Sequence, residues 1–374
     1  MVECRLGFIS SREYLARDFV YLERTYQRES SMSGNLTIKD IAKYCGVGVS
    51  TVSRAINDDP GINAATKERI LKVVKEFHYI PNNSARNLKM TESNTIALVV
   101  RGIDNIFFQS MFDQFQQETQ EKGFDFLLHS VGENENVVKA TVELVKEKRL
   151  KGVVILGGRM ERPEEKLDRL GVPYVLCTVA HSMYTPEPQC NSVAIDDEEE
   201  SRKAVEYLIR KGHRRIAIVT GREDDTAVGG QRLMGYQKAL EAAGIAMDED
   251  LIGYMKRSIT EFTPENGYAV TRDLLARTDF TALYCISDLT AIGAYKAIAE
   301  AGKRIPEDIS VLGFDGINLG QFLVPSLTSV KQPKEALIHS CVELLADAID
   351  GASQTRQLTY PAELLERDSV MDRN

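Results

Sequence analysis

LTIKDIAKYCGVGVSTVSRAINDDPGINAATKERILKVVKEFHYIPNNSARNLKM, residues Leu36 to Met90, is the stretch whose reading decides the architecture. Thr37 followed three residues later by Asp40 forms a capping-box-like pair and announces a helix start. Ile38, Ile41, Ala42 and Cys45 then recur at helical spacing and define one apolar stripe. Gly46-Val47-Gly48 breaks that helix and supplies a tight turn. The spacing predicts a second helix from Val49 to Asn57, with Val52, Ala55 and Ile56 on one face. Its other face carries Ser50, Thr51, Ser53, Arg54 and Asn57, which are small or polar. Two short helices joined by a glycine-containing turn, the second polar on its outer face, form a helix-turn-helix.

The glycine pair Gly46-x-Gly48 is not a dinucleotide loop. That loop needs a third glycine at position 51 and a preceding strand, whereas Thr51 stands there and the preceding segment is helical. A third helix is expected to end at Ile80-Pro81-Asn82-Asn83, where proline stops it. Ser84 to Leu88 has helical character but is too short to hold a helix alone.

Taken in order, GVGVSTVSRAIN, TKERILKVVKEFHYIPN and SARNLK resemble the head of the LacI/GalR family of bacterial transcriptional repressors, and the likeness continues to the C-terminus. The division this implies is a helix-turn-helix domain at 35–82, a hinge helix or linker at 83–92, and a two-lobed effector-binding and dimerisation domain at 93–374. Met1 to Gly34 has no counterpart in the resemblance. Tyr14, Leu15, Phe19, Leu22 and Tyr26 lie near one helical face, so an amphipathic helix is one reading of this extension. Translation from an upstream start is the other, and it is preferred because that helix has no evident partner and Met32 stands where a family member normally begins.

Bulk properties agree with a multidomain globular protein. A length of 374 residues suggests two or three domains. The six cysteines are scattered without a CxxC pair, which favours reduced thiols in the cytosol over a disulfide frame or zinc site. No apolar run is long enough to span a membrane, and residues 1 to 30 mix both charge signs rather than forming a secretory leader. The net charge of −9 hides an asymmetry: residues 35 to 91 hold nine Lys/Arg against five Asp/Glu, while residues 92 to 374 hold 32 against 45. A basic head on an acidic body confines phosphate contact to one end.

From Thr95 onward, short apolar runs alternate with amphipathic stretches: TIALVV, FDFLLHS, GVVILG, PYVLCT, SVAID, RIAIVTG, ALYCIS and ISVLGFDG. Such runs are strands of parallel sheet covered by helices on both faces. Eight of them favour two doubly wound lobes with a cleft between them. The expected fold class is therefore an all-α helix-turn-helix head plus an α/β periplasmic-binding-protein-like core. For the core alone, a sugar-binding protein or a doubly wound enzyme are the alternatives. The head and the lack of a leader argue against the first. No P-loop, nucleophile elbow, kinase signature or metal set supports the second, and no cofactor is expected.

On the DNA side, the resemblance implies that Val49 and Ser50 face base edges in the major groove. Val49 would meet a thymine methyl, and Ser50 would donate or accept. Thr51, Ser53, Arg54 and Asn57 would hold the helix against the backbone, and Thr37 and Tyr79 join the DNA-contacting set. Gly48 replaces a serine common in the family, so the usual N-cap of the second helix is missing. Leu88 occupies the position of an apolar wedge in the minor groove, with Ala85 one turn earlier allowing close approach. A two-fold dimer then requires a near-palindromic operator.

On the ligand side, Gln231-Arg232-Leu233-Met234-Gly235 resembles the family's R-L-x-G segment, and Arg232 would reach an effector hydroxyl or carboxylate. Phe262, in EFTPENGY, would stack on a sugar or base ring. Ser287 and Asp315, at strand ends, would bond polyol hydroxyls, while Asp288 reads better as a helix N-cap. Phe107 and Phe108 are weaker candidates. The acidic run Asp196 to Glu200 reads mainly as a solvated helix start favoured by the helix dipole, with Asp196 the exception placed at the cleft. The effector implied is a small molecule, a sugar or sugar derivative foremost.

Overall fold

The computed structural model describes residues 36–56, 58–77, 79, 93–132, 135–157, 167–179 and 190–374. Met1 to Gly34, Asn57, and the hinge with Ala85 and Leu88 lie outside the described residues. The chain divides between Thr91 and Glu92 into two compact units.

The first unit contains α1 (Ile38–Cys45), α2 (Val49–Ile56) and α3 (Ala64–Glu76). Asp40 accepts from the Thr37 backbone N–H at 2.9 Å and from the Thr37 hydroxyl at 2.5 Å, which fixes the first turn of α1. Gly46 ends α1 at φ +61°, a left-handed conformation that costs a side-chain-bearing residue more than glycine. Asn63 caps α3 by accepting from Ala65 N–H at 3.0 Å and Thr66 N–H at 3.4 Å. The stripes meet in one core of Ile41, Ala42, Cys45, Val52, Ala55, Ile70, Val73 and Tyr79. Ile41 and Ile70 are fully buried, and each contributes about 2 kcal/mol by leaving water. Tyr79 corrects an expectation: it is only 7% exposed and packs in this core, so its ring supports the head instead of facing DNA.

The second unit holds two six-stranded sheets. The first contains β1 (Thr95–Arg101), β2 (Asp125–Val131), β3 (Gly152–Leu156), β4 (Tyr174–Cys177), β5 (Asn191–Ile195) and β11 (Gln357–Tyr360), in the order β11-β5-β4-β3-β1-β2. The second contains β6 (Ile216–Thr220), β7 (Ile252–Tyr254), β8 (Ala282–Cys285), β9 (Ser310–Asp315), β10 (Thr328–Lys331) and β12 (Glu363–Leu365), in the order β12-β10-β9-β8-β6-β7. Every pairing is parallel except β10 with β12. All eight apolar runs are strands, and four further strands complete the sheets.

The helices are α4 (Ile106–Glu121), α5 (Val137–Lys148), α6 (Asp197–Arg210), α7 (Val228–Ala242), α8 (Pro264–Arg277), α9 (Asp288–Glu300) and α10 (Lys334–Ile349). Central strands β3, β5, β6 and β8 are buried along their whole length because helices cover both faces. The chain passes between the sheets three times: from β5 into α6, from β10 into α10, and between β11 and β12. Cys45, Cys177, Cys190, Cys285 and Cys341 are free and buried. Among the described residues no helix is long and apolar enough to cross a membrane.

The acidic run is only partly solvated. Asp197 and Glu200 are 2% and 5% exposed, whereas Asp196 is exposed and caps α6 by accepting from Glu199 N–H at 3.0 Å. The helix-start reading holds for the backbone, but the helix period turns positions 197 and 200 inward.

Candidate nucleic-acid interface and ligand cavity

In the head, the outer face of α2 stands clear of the core. Val49 is 41% exposed, a large apolar side chain left in solvent at the first position of the helix. Ser50 and Arg54 are exposed, and Thr51 and Ser53 are half-buried. The Arg54 guanidinium lies 3.9 Å from Asp59, a loose surface pair that leaves it free to turn to a phosphate. Gly48 contributes only its carbonyl, which accepts from Thr51 N–H at 2.9 Å and Val52 N–H at 3.2 Å, so α2 starts without a side-chain cap.

In the second unit, a cavity of about 680 Å³ opens at the carboxyl ends of both sheets, where open parallel sheets place their ligands. From the first sheet come Arg101, Phe107, Phe108, Ser130 and Thr178; from the second come Arg222, Asp225, Arg232, Phe262 and Asp315, with Gln332 on a passage between sheets. A cavity of this size encloses most of a small molecule's surface.

Arg232 reaches the cavity wall, but its guanidinium is spent on the protein. Nε and Nη2 donate to Asp197 Oδ1 at 2.8 and 2.7 Å, Nη1 donates to the Ile286 carbonyl at 2.5 Å, and the plane lies 3.6 Å from the Phe314 ring centre. Burial opposes its charge, yet Asp197 and Asp315 outweigh burial and hold its pKa above the usual value. Gly235 allows this placement: a Cβ there would collide with the Glu198 carbonyl, so α7 lies directly on α6 and Ser201 Oγ donates to the Arg232 carbonyl at 2.6 Å.

Asp315 ends β9 on the cavity wall at φ +109°, a strained conformation for a non-glycine residue. Its Oδ1 lies 3.7 Å from Arg232 Nη1 and accepts from Gln332 Nε2 at 2.9 Å. Burial pushes its pKa up to about 6, against the pull of Arg232 and Gln332. Phe262 also lines the cavity with positive φ (+54°), and Asn266 holds its loop by donating to the Lys256, Ile259 and Thr260 carbonyls. Beside it, Arg222 and Glu261 pair at 2.5 Å.

Two proposed effector contacts stand elsewhere. Asp196, the exposed cap of α6, does not line the cavity. Ser287 is fully buried and caps α9, its Oγ accepting from Thr290 N–H at 3.3 Å, so its hydroxyl is engaged within the helix start. The cap expected at Asp288 is therefore Ser287. Asp288 instead ties β9 to β10 by accepting from Ile317 N–H at 2.7 Å and Ser329 Oγ at 2.6 Å, and burial followed by the charge of Asp315 raises its pKa to about 8. Phe107 and Phe108 do line the cavity, and Arg101, Ser130, Thr178, Arg222 and Gln332 were missed. The available signal was position: Arg101 ends, and Thr178 directly follows, an apolar strand.

A helix-turn-helix head in one chain with a two-sheet core, its cavity at the strand ends, is the build of a ligand-responsive DNA-binding regulator. Residues 37–82 match the model for bacterial regulatory proteins of the lacI family, and residues 205–370 match that for a periplasmic binding protein-like domain. The HTH-type transcriptional regulator MalR of Clostridium butyricum is 38% identical over 340 residues, covering 90% of this chain and 100% of the relative. A solved complex of the transcriptional regulator CelR with cellobiose superposes with a TM-score of 0.67 at 33% identity, covering 90% of this chain and 100% of that one. The lac repressor dimer bound to operator and an anti-inducer gives a TM-score of 0.72 at 25% identity, with coverage of 90% and 100%. The chain belongs to the lacI family of bacterial regulatory proteins. These relatives are transcriptional regulators rather than enzymes.

Proposed function

We propose that this regulator is a cytoplasmic, non-catalytic homodimeric repressor. Its affinity for a near-palindromic operator is set by a carbohydrate in the core cavity. Val49 and Ser50 read base edges; Thr37, Thr51, Ser53, Arg54 and Asn57 hold the head on the duplex, and the hinge with Ala85 and Leu88 inserts into the minor groove. Phe262 and Asp315 meet the effector, and Arg232 keeps Asp315 in place. The observation that carries this reading is the position of Gln332. It lines the cavity, bonds Asp315, and lies on the passage from β10 to α10. A ligand that engages the Asp315 carboxylate therefore acts directly on a segment joining the two sheets. The cellobiose held by CelR supports a sugar as the effector.

The test is titration of operator DNA, selected from a palindromic library, at several salt concentrations with and without cellobiose or maltose. Operator affinity is expected to fall steeply with salt. It should also change about tenfold or more with one sugar, and that sugar's affinity should change by the same factor on operator binding. Salt-independent binding, or identical operator affinity with every sugar tried, overturns the proposal.

A further inference from the structure

Among the described residues, the first sheet presents a buried, unpartnered hydroxyl to the cavity. Thr178 follows β4, and its N–H donates to the Val193 carbonyl at 2.9 Å, so its backbone is held in place. It adopts φ +61°, a rare conformation for a β-branched residue. Its side chain is 9% exposed, and among the described residues its Oγ1 has no hydrogen-bond partner although it lines the cavity. A buried hydroxyl without a partner is costly, and so is the backbone strain. Both costs fall at one position on the cavity wall, where a bound molecule would relieve the first.

The charges of the wall say what kind of molecule. Among the described lining residues, Arg101, Arg222 and Arg232 face Asp104, Asp225, Glu261, Glu265 and Asp315. Arg222 is paired with Glu261, Arg232 with Asp197, and Arg101 is also engaged. A phosphate dianion entering here would meet an excess of carboxylates, and each arginine it could reach already holds another partner. Hydroxyls, by contrast, find acceptors at Asp315 and a free partner at Thr178. Phe108 on one wall and Phe262 on the other offer flat apolar surfaces to ring C–H faces.

Resting on the reading of this cavity as the effector site, we propose that its ligand is an uncharged, unphosphorylated saccharide and that Thr178 Oγ1 is a specificity-determining contact to one of its hydroxyls. The experiment pairs neutral sugars (glucose, maltose, cellobiose) with glucose 6-phosphate, maltose 6'-phosphate and cellobiose 6'-phosphate, using calorimetry and thermal shift on the full chain at millimolar ligand. At least one neutral member is expected to bind, and to bind at least about tenfold tighter than its phosphorylated counterpart. Thr178→Val should weaken that sugar about tenfold or more, without lowering the melting temperature of the free protein, because it removes an unpaired hydroxyl. Thr178→Ser should bind within a few fold of wild type. No binding by any neutral member, or tighter binding of a phosphorylated one, overturns the proposal. So does a Thr178→Val variant with unchanged affinity. If Asp315→Ala still weakens binding in that case, only the role of Thr178 fails. If neither substitution changes affinity, the ligand binds elsewhere and the cavity reading fails with it.

Discussion

Asp315 is where burial, strain and ligand chemistry meet. With its pKa pushed up to about 6, roughly half of it is protonated at pH 6. The groups around it are Arg232 and Gln332, which favour its charge, and Asp197, which opposes it. A sugar hydroxyl donating to the carboxylate favours the charged form, so binding near pH 6 should expel up to about half a proton. Calorimetry at that pH in buffers of different ionisation enthalpy reads this release directly, and Asp315→Asn should show none. Equal heats in all buffers for wild type would place the effector away from Asp315. The linkage to folding has the same origin. The folded-state pKa lies above the ordinary carboxylate value, so this group's drag on stability is present above pH 6 and is relieved as pH falls from about 6 towards 4. Arg232 illustrates a different lesson. The motif around it was legible, but its role was not, because sequence alone does not reveal that Asp197, Ile286 and Phe314 converge on its guanidinium. Arg232→Leu would leave Asp197 buried and unpaired and should cost about 3–5 kcal/mol of stability, measured by denaturant unfolding. A variant as stable as wild type would show that the arginine serves the ligand alone.

Among the elements, those with strong periodicity or long apolar runs could be read directly. The first two head helices were placed by their apolar stripes, the end of the third by Pro81, and eight strands by Val/Ile/Leu content. The four strands that escaped notice are short and lie at edges or carry polar residues: IGY, TSVK, QLTY and ELL. A strand of three or four residues with one covered side has no room to show a pattern. Thr178, Arg222 and Gln332 escaped for a related reason, since they stand just beyond strands in loops where no period operates. The same scale supplies a prediction in the head. Space beside Gly48 is open, the nearest atoms to an added Cβ being Ser50 Oγ at 3.6 Å and Thr51 Oγ1 at 3.9 Å. Gly48→Ser would give α2 the missing cap and should stabilise the head by a few tenths of a kcal/mol. A drop in its melting temperature would mean that position 48 needs glycine for another reason.

For the whole molecule, the order of strands matters more than their number. β11 pairs with β5 and β12 with β10, so residues 357–365 close one edge of each sheet. Beyond them, Ser369 accepts from Thr328 N–H and donates to the Val311 carbonyl, at 2.8 and 2.6 Å, holding the chain end to the second sheet. Deleting residues 353–374 is therefore expected to lower the stability of both lobes, seen as loss of amide-exchange protection in β5 as well as β10. Protection lost only around β10 would show that the first lobe is complete without its last strand.

This arrangement has a consequence during synthesis. A ribosome emits the first sheet's strands β1 to β5 early, but the strand that covers β5 is made only after most of the second lobe has been translated. Until then the edge of β5, which the finished fold buries along its whole length, stays open, and open edges recruit other strands. The growing regulator thus carries an unfinished lobe for most of its translation, and a chain released some twenty residues early carries two.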